Sequence, residues 1–310
     1  MPPSVHAQLK TLHHLLPHAH WQAAPQAGAW APWRQGFKLV QRWRWQPEHP
    51  LLPHEQAHAH AAGLHPQWPQ WAAWQSQSAH PCALVSPCHW QVNLHRVQMT
   101  PLPASQLGEA TSRALCHALA ALCAQDGWQL QWLDPYHWLL QADGLQHVHT
   151  ISPERALHDD LRPWMPQSDA QPTLAAALRR LMNEAPMLFY EHPANLAHTA
   201  QGKLPINAIW IHGSGGPIAA PQAEVLVAQD MAWAALSGQP HDWAQAWHHV
   251  AQHWPQWQAC IQSGQPLWLH VGGAQHANSW QWAPPPRWRQ RIARWLPTPS
   301  AHPVQHWLQA

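Results

Sequence analysis

The residues with the most capacity for chemistry crowd into one stretch, His192 to Gly216, which reads HPANLAHTAQGKLPINAIWIHGSGG. Asn195 and Asn207 offer amide donors and acceptors, and His192 offers an imidazole. The cluster Gly213-Ser214-Gly215-Gly216 lets backbone N–H groups approach a ligand closely. With Asn93 from an upstream segment, these groups suit a neutral or singly charged polar ligand held without metals. The candidate ligand-binding residues are therefore Asn93, His192, Asn195, Asn207, Gly213, Ser214 and Gly215. Each also has a plainer use. Asn195 can cap a turn, Asn207 can bond a neighbouring loop, and a glycine cluster after a strand commonly makes a turn.

The residue types here also bear on two other chemistries. Ser214 stands two residues from His212, and Asp230 or Asp242 could orient that base for nucleophilic catalysis. The order His212-Gly213-Ser214-Gly215-Gly216 lacks the Gly-x-Ser-x-Gly elbow, so Ser214 reads as a turn residue and no catalytic residue is assigned. Cys82, Cys88, His89 and His95 combine thiols with imidazoles, a zinc-binding chemistry. Their spacing matches no knuckle, and strand alternation would split them between faces. The pairs His18/His20, His58/His60 and His147/His149 arise by chance in a chain with 29 histidines. No metal ligand and no cofactor is expected.

Composition narrows the function classes. The chain has 310 residues and a formal net charge of +1, which gives no broad field for nucleic acid or an anionic membrane. Charged residues make up 10%, while Trp (25), His (29) and Pro (33) are abundant along the whole length. A bias that uniform reads as drift of the lineage and not as a stacking device. Five cysteines do not make a disulfide framework, so a reducing cytoplasm is expected. His and Pro interrupt the first thirty residues, which lack a signal-peptide core, and no run is long enough for a bilayer.

The elements that must position these residues can be read in outline. LKTLHHLL is a short helix or strand, and residues 51–62 form a helix with Pro53 in its first turn and Gly63 beyond its end. Trp21, Trp30, Trp33, Trp43 and Trp45 show no period, and PQWPQWAAWQSQSAHP reads as an exposed connection. Residues 83–99 alternate as one half-buried strand. Ser105 caps a helix lined by Leu107, Leu115, Leu119 and Leu122; WQLQWL and YHWLLQ form a hairpin; and Ser152-Pro153 starts a helix. Thr173 caps a long helix with the stripe Leu174, Leu178, Leu181 and Met182, ending near Tyr190 before Pro193. Ile206, Ile209, Trp210 and Ile211 make a buried strand emptying into the glycines. Residues 220–237 and 242–258 read as helices and 266–271 as a strand, and a basic helix spans Trp288 to Trp295.

From Cys82 to Gly216 the order of features resembles the archaeal-type cofactor-independent phosphoglycerate mutases of the alkaline-phosphatase-like superfamily. The matching residues are His192, Pro193 and Asn195, then Gly202, Pro205 and Asn207, then Ile209, Trp210, Gly213 and Gly215. Upstream, Asn93 and Tyr136 match as well. The chain is also similar to a proteobacterial group of RpfE-type regulatory or phosphoglycerate-mutase-like proteins. The resemblance implies an α/β fold: an alkaline-phosphatase-like core sheet with helices on both faces and an inserted smaller α+β domain. Residues 1–80 and 201–310 would form the core domain, and 81–200 the insertion. It also implies that the N-terminal strand and the 266–271 strand lie side by side.

The departures bear on activity. The family's metal site needs Asp near the N-terminus and Asp and His ligands in the last third. Here the first Asp is Asp126 and the last acidic residue is Asp242. Gln91, His137 and His198 stand where the family has Arg, and imidazole lacks the permanent charge and fork of guanidinium. The expected function is a divergent, non-catalytic relative in the cytoplasm, with a regulatory or small-molecule-binding role. Its ligand would be small and polar or phosphorylated; no nucleic acid, membrane or specific protein partner is implied. The alternatives are an active metal-dependent mutase or phosphatase with relocated ligands, and a protein-interaction module using the Trp-rich first 80 residues.

Overall fold

The computed structural model describes residues 11–19, 37–100, 102, 107–157, 159–219, 223–237, 240–273 and 275–282. Ser105, Trp21, Trp30, Trp33 and the basic segment 288–295 lie outside them. The chain divides into two compact units, Met1–Gly63 with Pro221–Ala310, and Leu64–Ala220. Both are mixed α/β, and each carries its own sheet. No helix among the described residues is long and apolar enough to cross a membrane.

The first unit is built on a five-stranded sheet. Its strand β1 (Thr11–Leu16) lies parallel to both the edge strand β8 (Ala223–Val227) and the central strand β9 (Leu267–Gly272). The N-terminal strand and the 266–271 strand are thus neighbours, with His13 opposite Trp268 and Leu15 opposite His270. β10 (His276–Trp282) runs antiparallel to β9, and β2 (Phe37–Arg44) closes the edge antiparallel to β10. Residues alternate across this sheet. Leu12, Leu16, Leu267, Leu269 and Val271 face α7 (Gln229–Ser237), α8 (Pro240–Gln252) and α9 (Trp254–Ser263), whose Met231, Trp243, Trp247, Val250 and Trp257 complete an apolar core. Each large side chain fully buried here stabilises the fold by on the order of 2–3 kcal/mol. The opposite face, with His13, Trp268 and His270, lies under α1 (Pro53–Ala62).

α1 forms for local reasons. Pro53 presets its first turn, Glu55 Oε2 accepts from Leu52 N at 2.7 Å, and Gly63 ends it at φ 68°. Three strands differ from expectation. Residues 223–227 are β8, not helix, because parallel pairing with β1 outweighs the alanine-rich composition that continues into α7. β2 and β10 carry no clear apolar alternation in the sequence and emerge only as paired strands.

The second unit is organised by β3 (Cys82–Val92). Its first half pairs with β6 (His137–Gln141) on one edge and β7 (Ala208–Gly215) on the other, and its second half pairs with β4 (Val97–Thr100). The stretch expected as one strand is therefore a hairpin turning at residues 93–96. β5 (Gln129–Asp134) and β6 form the expected hairpin. α3 (Glu109–Gln125) and α5 (Pro172–Tyr190) pack Leu115, Leu119, Leu178, Leu181 and Met182 against Val85, Trp138, Ile209 and Ile211. Thr173 is inside α5 and not its cap, since Pro172 supplies the preset first turn. Ser152 Oγ accepts from Arg155 N at 3.0 Å, but the helix it starts, α4 (Pro153–Ala156), is a single turn.

Residues expected as an exposed connection contain α2 (Trp71–Ser76), which buries Ala72 and Ala73 completely against β3 and β7. α5 ends at Tyr190, before Pro193 as expected, and Pro193 then opens a further helix, α6 (Pro193–Ala200), capped by His192. The expected divisions near residues 80 and 200 fall inside this second unit, which begins before α2 and includes β7.

Candidate functional site

Six of the seven candidate ligand residues lie on or beside α6 and β7, and most of their polar groups are engaged by the protein itself. Asn195, buried on α6, donates Nδ2 to the carbonyls of Phe189 and Ile206, each at 2.9 Å, and its Oδ1 accepts from Ile206 N at 3.0 Å. It pins the end of α5 to the strand entry. Asn207 acts the same way across the sheet: Oδ1 accepts from Trp90 N at 2.7 Å and Nδ2 donates to Trp90 O at 3.0 Å. His192 Nδ1 accepts from Ala194 N at 3.2 Å, as an N-cap. Asn93 sits exposed in the β3–β4 turn, its N–H bonded to Arg96 O at 2.9 Å.

Gly213 and Gly215 are strand residues. Gly213 has φ 60°, and a Cβ there would lie 2.8 Å from Trp71 Cβ. A Cβ on Gly215 would collide with the Gln70 side chain. Both glycines admit the start of α2, so the close approach they permit is used by the chain's own backbone. Ser214 Oγ donates to Val148 O at 2.6 Å and lies 2.9 Å from Thr150 Oγ1, which accepts from Ser214 N at 3.2 Å.

His212 turns instead to Ser86, an arrangement invisible in the sequence. Ser86 Oγ and His212 Nε2 are 2.9 Å apart, and both residues are buried. Hydroxyl against imidazole is the geometry of a nucleophile and its base. A carboxylate orients a different ring: Asp134 meets His137 Nδ1 at 2.9 Å, and the His137 ring is 6.2 Å from His212. Burial, reinforced by His137, drives His212 down to about 3, so it is neutral at physiological pH. Burial would raise Asp134, but the bonds from His137 and from the backbone of Tyr136 and His137 outweigh it and lower the carboxyl. Only the register of β3 against β7, Leu84 opposite His212, brings Ser86 to that ring.

The first unit holds the larger polar cluster. His13 Nδ1 is 2.9 Å from His270 Nε2, His270 Nδ1 is 2.8 Å from Ser279 Oγ, and Trp43 Nε1 donates to the same oxygen at 2.9 Å. Indole N–H is only a donor. If Ser279 in turn donates to His270 Nδ1, His270 carries its proton on Nε2 and gives it to His13 Nδ1. One hydrogen-bonded chain then runs from β2 through β10 and β9 to β1. On the other face, Trp257 Nε1 donates to His14 Nδ1 at 3.1 Å. Burial lowers His13 to about 4 and His14 and His58 to about 3, and it pushes His270 well below its ordinary value. Neighbouring histidines add to each shift.

A centre for two hard divalent metals does not fit this donor set. Such ions take carboxylate and other oxygen ligands. The carboxylates of the first unit are Glu48, Glu55, Glu224, Asp230 and Asp242. Glu55 caps α1, Glu224 accepts from Gln256 at 3.3 Å, and Asp230 pairs with His249 at 2.6 Å. Glu48 and Asp242 are exposed, in the turn after β2 and the first turn of α8. None lies on β1, β9 or β10, where neutral histidines stand. In the second unit, Cys82 and Cys88 are buried thiols raised by desolvation, His89 Nδ1 meets Pro205 O at 2.8 Å, and His95 is exposed. Among the described residues these four do not gather as a ligand set.

No family model and no curated protein matches the chain. Among solved structures, it is similar to a cofactor-independent phosphoglycerate mutase from Thermoplasma acidophilum, at 10% identity and a TM-score of 0.36, over 88% of this chain and 90% of that one. It is also similar to the PH0037 protein from Pyrococcus horikoshii, at 9% identity and a TM-score of 0.43, over 89% of this chain and 88% of that one. Both likenesses are distant and concern the fold alone.

Proposed function

We propose that this chain is a non-catalytic relative of the cofactor-independent phosphoglycerate mutases, with a regulatory or small-molecule-binding role. The observation that supports the reading is the donor set of the first unit's sheet. Where metal-dependent phosphoryl transfer needs carboxylates, the strands carry His13, His14 and His270, held neutral and bonded to protein groups. Neutral imidazoles neither balance the charge of two divalent ions nor clamp a phosphoryl group. The substitutions Gln91, His137 and His198 point the same way in the second unit.

The reading is tested by assaying purified full-length protein for interconversion of 3- and 2-phosphoglycerate with Mn²⁺, Co²⁺ or Zn²⁺ added in turn. No metal-dependent turnover is expected. Turnover that rises with one metal and disappears on chelation would overturn the reading.

A further inference from the structure

The β2–β10 pair carries a second polar grouping that the histidine chain does not use. Arg42 lies directly opposite Asn278, and Arg44 directly opposite His276. Directly opposed residues share a face, with side chains about 5 Å apart, and next-but-one residues on a strand are about 7 Å apart. The four therefore form one patch on the same face. Arg42 and Arg44 are exposed and, among the described residues, make neither an ion pair nor a hydrogen bond. Most other arginines of the described residues do have partners: Arg113 with Glu109, Arg155 with Asp159, Arg162 with Asp160, and Arg180 with Asp126.

Asn278 gives the patch its direction. It is fully buried, and neither Nδ2 nor Oδ1 has a hydrogen-bond partner. A buried amide left unpaired costs about 1–3 kcal/mol, so native structures rarely keep one without a use. Burial lowers His276, and Arg42 and Arg44 add to the shift, which places both guanidiniums within electrostatic reach of that ring. Glu48, in the turn beyond Arg44, is the nearest carboxylate in sequence and makes no ion pair with either arginine.

We propose that Arg42, Arg44 and Asn278 form a binding site for a small phosphate-type oxyanion, either inorganic phosphate or a phosphomonoester. Two guanidinium forks match tetrahedral oxygens and neutralise a dianion, while the Asn278 amide donates to an oxygen from beneath. The competing explanation is that Arg42 and Arg44 only guard an edge strand against pairing with other chains. That role needs charge but no anion, and it leaves the Asn278 amide unexplained. The site is separate from the histidine chain, and its existence does not depend on the non-catalytic reading.

The test is calorimetric titration of the full-length protein with inorganic phosphate, and separately with glycerol phosphate, at constant low ionic strength. Saturable binding of one anion is expected. Arg42→Gln and Arg44→Gln should each weaken it by roughly tenfold, and the double variant should abolish it. Asn278→Leu should weaken it similarly while melting no lower than the native chain, because an apolar residue removes an unpaired buried amide. Absence of saturable binding, or affinity unchanged in the double arginine variant, would overturn the proposal. So would binding confined to long polyanions such as heparin, which would mark a diffuse charged edge. Binding of phosphate but not of glycerol phosphate would identify the free ion as the ligand; the converse would identify the ester.

Discussion

Acid should unfold this protein at a pH where most proteins with few buried histidines are stable. The native pKa of His14 and of His212 is about 3, against an ordinary 6.5, and the cause is burial. A group whose native pKa is depressed below its unfolded value binds a proton on unfolding in the interval between the two. For a histidine, stability is therefore full above pH 6.5 and falls as pH drops from there toward 3. Each such ring costs about 2 kcal/mol at pH 5 and about 3 kcal/mol at pH 4. His14 acts in the first unit and His212 in the second. His13, lowered to about 4, and His270 add to the first unit's loss in the same direction. Domain stabilities are about 5–15 kcal/mol, so the first unit should lose most of its margin by pH 4.5. The lowered carboxyls of Asp134 and Asp160 lose their contribution only below about pH 4, outside this window. Urea unfolding followed by tryptophan fluorescence and circular dichroism between pH 7.5 and 4.5 reads the effect. The slope at pH 5 should give about one proton taken up per buried histidine. A flat profile across that range would refute the assignment of neutral, desolvated imidazoles.

Three further outcomes test particular contacts. Asn207→Ala removes both bonds to the Trp90 backbone and should destabilise the second unit by about 2–4 kcal/mol in urea titrations; a change under ~0.5 kcal/mol would show that the clip is dispensable. Gly213→Ala places a Cβ against Trp71 at positive φ and should cost about 2 kcal/mol or more, read from the thermal midpoint. All five cysteines are free and buried, with Cys116 and Cys123 raised to about 12 by desolvation. A thiol reagent at pH 8 should therefore label essentially none in the native protein and all five after denaturation; fast labelling of native protein would contradict that burial.

Much of the fold was legible where local chemistry and tertiary packing agree. The Pro53 and Gly63 boundaries of α1, the β5–β6 hairpin and the α5 stripe of Leu178, Leu181 and Met182 follow from turn residues and periodicity. β8 was hidden because its neighbours are alanine-rich, and β2 and β10 because Arg, Gln, His and Trp occupy their alternate positions. The stretch His192 to Gly216 stood out for its amides and glycines. The side chains of Asn195, Asn207 and Ser214 hold backbone, and Gly213 and Gly215 admit α2, which no local pattern distinguishes from ligand binding. The Ser86–His212 pair and the chain from Trp43 to His13 depend on strand register between residues 126 and 257 positions apart. One sequence cannot show such pairings, although His13 and His270 on short apolar strands were a signal that buried imidazoles would need partners.

The most direct test of the account is manganese binding by the intact protein. Equilibrium dialysis against Mn²⁺ at pH 7.5, followed by elemental analysis, measures it. Well under one tightly held ion per chain is expected, because no carboxylate lies on β1, β9 or β10 to hold it. Retention of two ions per chain, released together by chelator, would contradict it.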